Sequence, residues 1–281
     1  MKKHNLFFDF LKSTNAVVGA IIIVLFILIA LLAPLLAPKA PNAQSLKDAL
    51  TPPCWKHPLG TDEFGRSILS RIIFGARISL NIALIASAVA LGIGVPLGAL
   101  AGYYGGATDS IVQGLVDLTW AFPTILAALA IMFILGPGLH SVMIAVGIVY
   151  WAGYARITRG QFLALREEEY VQAARAVGAS SLRIIWRHLL PNSLAPLLVQ
   201  LSLGMGQVIL IEASLSFLGL GAQPPTPSWG SMLSSGRAYL LTASWLTLFP
   251  GLAIMVIVLG FNLIGDGLRD ALDPRLSHID R

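Results

Sequence analysis

Few side chains in this sequence stand where they could do chemistry, and their spacing argues against an active centre. Cys54 is the one cysteine, which excludes an internal disulfide and any cysteine-built zinc or iron–sulfur site. The five histidines include no pair at metal-ligand spacing, and His140 reads as a loop residue. Neither His-Glu-x-x-His nor Gly-x-Ser-x-Gly occurs. A phosphate-cradling loop needs Gly-Lys followed by Ser or Thr; no Gly-Lys dipeptide occurs, and all six lysines precede residue 57. We therefore expect no catalytic residue, no metal site and no cofactor on this chain.

Two other features remain. Asp117 and Glu212 fall inside long apolar runs. A carboxylate at a bilayer centre costs about 2.5–3.5 kcal/mol on insertion scales, so each must face protein or water. Each is either a pathway residue that meets a passing cation or a structural hydrogen-bonding group. The second feature is the polar segment 155–193, which holds six of the 19 basic residues and three consecutive acids, Glu167, Glu168 and Glu169.

The elements that must position these residues are membrane helices. Of 281 residues, 56% are hydrophobic and only 12% charged, and the mean hydropathy is +0.77. Soluble domains carry about 25% charged residues, so a soluble globular enzyme is excluded. The net charge of +5 fits basic loops beside a membrane rather than a nucleic-acid partner. Six runs approach the roughly 20 apolar residues that span a 30 Å hydrocarbon core. They are Ala16–Leu36, Leu80–Ala101, Ile111–Leu135, Leu139–Tyr154, Leu194–Leu220 and Trp245–Ile264. The first, preceded by Lys2, Lys3 and Lys12, is longer than a signal-peptide core and reads as an uncleaved anchor.

Lysine and arginine counts between spans favour a cytoplasmic N-terminus, with twelve basic residues on that side against seven. Both termini are then cytoplasmic, as tails over 1–15 and 266–281 flanking a transmembrane domain over 16–265. Segment 37–79 lies outside, and Ile68, Leu69, Ile72, Ile73 and Ala76 in it suit a short helix lying in the membrane interface. In the second span Ala90, Gly94, Gly98 and Gly102 recur every four residues, a close helix–helix contact surface. Pro96 is expected to bend that span.

The cytoplasmic loop 155–193 reads as two short helices joined at Gly178. Glutamates 167–169 sit where a first turn favours negative charge, and Arg175 where a last turn favours positive charge. Gly178 suits a left-handed closing position. Ser180 can cap the second helix, with Leu182, Ile185, Trp186 and Leu189 as one apolar face and Pro191 as its end. Around Tyr170, the small Ala173 and Ala174 would let a partner surface approach closely.

This loop resembles the cytoplasmic Glu-Ala-Ala motif of ABC-importer permease subunits. Gln172-Ala173-Ala174, Gly178 and Leu190-Pro191 keep its full spacing, with Gln172 in place of Glu and His188 where Ile is frequent. The segments His57-Pro58-Leu59-Gly60-Thr61-Asp62, Gly65-Arg66 and Ser70-Arg71 resemble the second permease subunit of dipeptide, oligopeptide and nickel importers. Ser67 departs from the Asp usual after that Gly-Arg. Phe217-Leu218-Gly219-Leu220-Gly221, Trp229-Gly230 and Gly265-Asp266-Gly267-Leu268-Arg269-Asp270 with Leu272-Asp273-Pro274 match the same group.

The resemblance implies an all-α, six-helix bundle of the type I ABC-importer permease kind, with a coupling-helix loop, in a bacterial-type inner membrane. It implies a homologous second permease subunit, two ATPase subunits that carry the ATP and magnesium, and an extracytoplasmic solute-binding protein. Tyr170, Gln172, Ala173, Ala174, Gly178 and Pro191 would dock an ATPase, while Asp117 and Glu212 would touch a peptide amine or other cation in the pathway. The implied solute is a di- or oligopeptide. A nickel complex or glutathione fits the same signatures, and a secondary carrier or channel is the alternative of another class.

Overall fold

The computed structural model describes residues 13–272, and every described regular element is helical. The N-terminal lysines, most of both expected tails, and Asp273-Pro274 lie outside the described residues. Helix α1 (Thr14–Leu31) starts at a Ser13 cap and is followed by a short α2 (Ala33–Leu36). Then come α3 (Ile68–Tyr104), α4 (Gly106–Trp120), α5 (Thr124–Leu135) and α6 (Leu139–Leu165). The turn region holds α7 (Glu169–Ala176) and α8 (Ser181–Ile184), and the described residues close with α9 (Leu190–Phe217), α10 (Trp229–Gly236) and α11 (Trp245–Leu272). Six apolar spans result if α4 and α5 count as one.

Five boundaries differ from those expected. No separate interfacial helix forms over 68–76, because nothing between Arg77 and Leu80 breaks the chain. The Ser67 hydroxyl accepts from Ser70 N, and one helix of 37 residues runs on through Pro96. Ile68, Ile73 and Ala76 face protein rather than lipid. The third span is cut in two with a 92° bend, because Pro123 offers no N–H and disfavours helical geometry at Phe122. The fourth runs three turns beyond Tyr154, so much of the expected loop is helix. Pro191 does not end a helix: a wide π turn, Ile185–Leu189, joins α8 to α9, and Pro191 sits in the first turn of α9, where a missing N–H costs little. The last helix likewise continues through 266–272, inside the expected tail.

Two glycine contacts hold the bundle together. A Cβ on Gly94 would lie 2.4 Å from Trp151 O, on Gly98 2.3 Å from Ala155 O, and on Gly102 2.7 Å from Arg159 O. Helices α3 and α6 therefore touch backbone to backbone within one subunit. Helices α1 and α11 do the same, with Gly19 against Gly260 O and Gly267 against Ala16. The main core lies between these pairs, with Ile82, Ala86, Val146, Ile209 and Ile257 fully enclosed.

Segment 37–67 is a compact cap rather than a loose loop. Asp62 accepts from Phe64 N at 3.0 Å, from Arg66 N at 2.9 Å and from Arg66 Nε at 2.6 Å. Arg71 is buried, donating to Pro41 O at 3.3 Å and Asn42 Oδ1 at 3.4 Å. One indole clamps this segment and another the helix that follows it: Trp245 Nε1 donates to Thr61 O and Trp229 Nε1 to Ile72 O, both at 3.1 Å. Replacing Trp245 with Phe keeps most of the packing and removes one half-buried hydrogen bond, worth about 1 kcal/mol. Proteolysis within 37–67 is then expected to quicken about fivefold, with the transmembrane helices unaffected.

Candidate functional site

The turn between α6 and α9 is built from short-range signals. Glu168 stands at the start of α7, Glu169 in its first turn and Arg175 in its last, each favourable to the helix dipole. At the far end Val177 N donates to Ala173 O, Gly178 N to Arg175 O and Ala179 N to Ala174 O, at 2.9–3.1 Å. Gly178 carries φ +80°, the left-handed geometry of a helix-closing glycine. Gln172 Nε2 donates to Arg166 O at 3.1 Å, holding α7 to the end of α6.

The turn is anchored from below. Val171, Ile184, Ile185 and Leu189 pack with Phe162 and Ala99 in a small core of their own. Asn192 Nδ2 donates to the Tyr170 hydroxyl at 3.3 Å, and the Tyr170 ring lies 6.3 Å from His188. Burial, then the Glu168 carboxylate, pushes the Tyr170 hydroxyl above its ordinary range, so it stays a neutral phenol.

The expected single apolar face of the second helix divides. Ile185 and Leu189 point inward, whereas Leu182 and Trp186 point outward, 67% and 66% exposed. The two pairs lie on different sides of the turn, and the bundle covers only one of them. Val177 joins the outward set, beside the exposed Gln172 and Ala173. Three large apolar side chains thus surround a turn whose backbone is fixed. Sequence reasoning missed Val177, although its place just before the glycine was the available signal.

The two intramembrane acids are placed in opposite ways. Glu212 is enclosed between α9 and the α10 region, with one oxygen accepting from Ser216 Oγ at 2.7 Å and the other unpartnered. In this conformation it lines no open space. Asp117 is 68% exposed near the end of α4, 3.6 Å from Arg156 of α6, and the Arg156 guanidinium lies 3.9 Å over the Trp120 ring. Trp120 is thus a cation partner for the α6 arginine. Eight residues earlier on α4, Asp109 makes a closed two-point pair with Arg159, the Nη2–Oδ2 arm at 2.6 Å. Arg166 Nη1 ties this end of α6 to Gly102 O at 3.1 Å. The arginines of α6 carried no pairing signal in the sequence, because their partners are 39 to 64 residues away. No group of three or more metal-ligating side chains occurs among the described residues.

Comparison with known proteins gives a consistent picture. The family described as "Binding-protein-dependent transport system inner membrane component" matches residues 94–278, and the "N-terminal TM domain of oligopeptide transport permease C" matches residues 5–53. A dipeptide transport system permease protein of Alkalihalophilus pseudofirmus is 50% identical over 95% of this chain and 88% of its own length. One from Haemophilus influenzae is 43% identical over 96% and 94%. A glutathione transport system permease protein of Pectobacterium atrosepticum is 47% identical over 80% and 75%. Among solved structures, an inward-facing conformation of the MetNI methionine ABC transporter superposes with a TM-score of 0.57 at 18% identity, covering 72% of this chain and 97% of that one. That likeness shows a shared fold.

Proposed function

Because the chain belongs to the family of binding-protein-dependent transport system inner membrane components, we propose that it forms half of the pathway by which an ABC importer carries di- and oligopeptides across a bacterial inner membrane. The observation that carries the coupling part of this reading is the fixed turn at Gly178 with Val177, Leu182 and Trp186 turned outward. Large apolar side chains so exposed on a polar turn need a protein to cover them. An ATPase subunit is the partner proposed, with ATP and magnesium held there. Gln172, Ala173, Ala174 and Gly178 meet it, and Tyr170 and Pro191 support them from behind.

The remaining partners are a homologous second permease, a second ATPase subunit and an external solute-binding protein. The docking turn and both termini then lie on the cytoplasmic side, and segment 37–67 lies outside. The peptide assignment is supported by the dipeptide permeases at 43–50% identity. The glutathione relative supports a second peptide-like solute for the same pathway. The test is uptake into proteoliposomes holding the complete complex. Labelled dipeptide is expected to accumulate only with ATP, both ATPases and the binding protein present. Uptake by this chain alone, without ATP, would instead establish a secondary carrier.

A further inference from the structure

We infer that Asp117, Arg156 and Trp120 form a solute contact inside the pathway, one that receives the two charged ends of a zwitterionic peptide; this rests on the peptide-importer reading above. Depth is the first observation. Asp117 lies eleven residues from the start of α4, and Arg156 ten residues from Arg166, so each is about 15 Å from the linked ends of α4 and α6. Asp117 is also six residues inside the expected third span, Ile111–Leu135, and Arg156 is within two residues of the expected fourth, Leu139–Tyr154. Yet their side chains are 68% and 51% exposed in the single subunit. A charge inside a membrane span does not face lipid.

The state of the pair is the second observation. On the same two helices, Asp109 and Arg159 are closed on each other with both arms and are mostly covered. That pair is spent on holding α4 to α6. Asp117 and Arg156 stand 3.6 Å apart, too far for a hydrogen bond. The carboxylate and the guanidinium fork keep their acceptors and donors, while the Trp120 face steadies the guanidinium.

The backbone supplies a third observation. The 92° break falls at residues 121–123, directly after Trp120. The last carbonyls of α4 and the first amides of α5 lack intrahelical partners there. Such groups at membrane depth occur only against protein or a water-filled cavity. An aqueous wall that offers one anion, one cation and an aromatic surface matches a short peptide's ammonium, carboxylate and variable side chain. Asp117 takes the ammonium and Arg156 the carboxylate, and the loose pair opens around them.

The test uses the complete complex in proteoliposomes with the binding protein and a labelled dipeptide, following both uptake and ATP hydrolysis. Asp117→Asn and Arg156→Gln are each expected to lower uptake about tenfold, with binding-protein-stimulated hydrolysis within twofold of the parent. Arg156→Lys is expected to recover at least half of the lost uptake. Asp117→Asn is nearly isosteric at an exposed position and keeps the experiment decisive if the arginine variant assembles poorly. Unchanged uptake in Asp117→Asn, or an equal fall in uptake and hydrolysis, overturns the inference. A parent complex that takes up no dipeptide would overturn the peptide reading itself, a separate and recognisable failure.

Discussion

Valine at position 178 is expected to leave the subunit folded in the membrane and to bring ATP-driven uptake down to background. Gly178 holds φ +80° and ends α7. A non-glycine residue in that region costs about 1–2 kcal/mol, and a β-branched one is a still greater outlier. A Cβ there would meet nothing within 4 Å, so the damage is conformational rather than steric. The turn reopens and Val177, Leu182 and Trp186 lose their fixed arrangement, while the Phe162–Leu189 core beneath persists. Asparagine tolerates the left-handed region, so Gly178→Asn should retain a substantial part of transport. The order Gly, Asn, Val, measured as uptake and as ATPase retained on the purified permease, checks the argument. An alanine-like indifference to all three would remove the turn from the coupling path.

Leucine at position 98 acts on the bundle itself. A Cβ on Gly98 would already lie 2.3 Å from Ala155 O and 2.9 Å from its Cα, and neither is a flexible side-chain tip. Overpacking a well-fitted core costs about 1–3 kcal/mol, and a clash with backbone belongs at or beyond the top of that range. Helices α3 and α6 must separate along much of their length, which also disturbs Arg166 on Gly102 O and the turn it leads to. Gly98→Leu is expected to abolish accumulation of the protein in membranes. Gly92 and Gly114 have nothing within 4 Å of a built Cβ, so alanine at either should be silent in the same membrane-level and thermal-melting measurements.

Much of this architecture can be read from local composition, because a membrane span declares itself in about 20 residues. The glycine ridge, the closing glycine and the charges at both ends of α7 depend only on neighbours within a turn or two. The errors share another origin. That 68–76 packs on protein rather than lipid depends on contacts such as Arg71 with Pro41 and Asn42, some 30 residues away. The division of Leu182 and Trp186 from Ile185 and Leu189 depends on which side the bundle covers. The opposite fates of Glu212 and Asp117 depend on packing that no run of hydropathy encodes. Pro123 did carry the signal for the broken span, and a continuous apolar run hid it.

The break has a mechanical consequence. Helices α3 and α6 meet backbone to backbone along their glycine ridge, and α1 and α11 do so at Gly19 and Gly267, so these four form a stiff chassis. The half-span α4 buries only Val112 and Val116, and α5 only Ala128 and Met132. Regions with few buried apolar contacts open at the lowest free energy. The two half-spans sit on that chassis like hinged wings, α4 pinned near its start by Asp109 to Arg159, so on the proposed reading the wall meant for the solute is the membrane-spanning part expected to yield first.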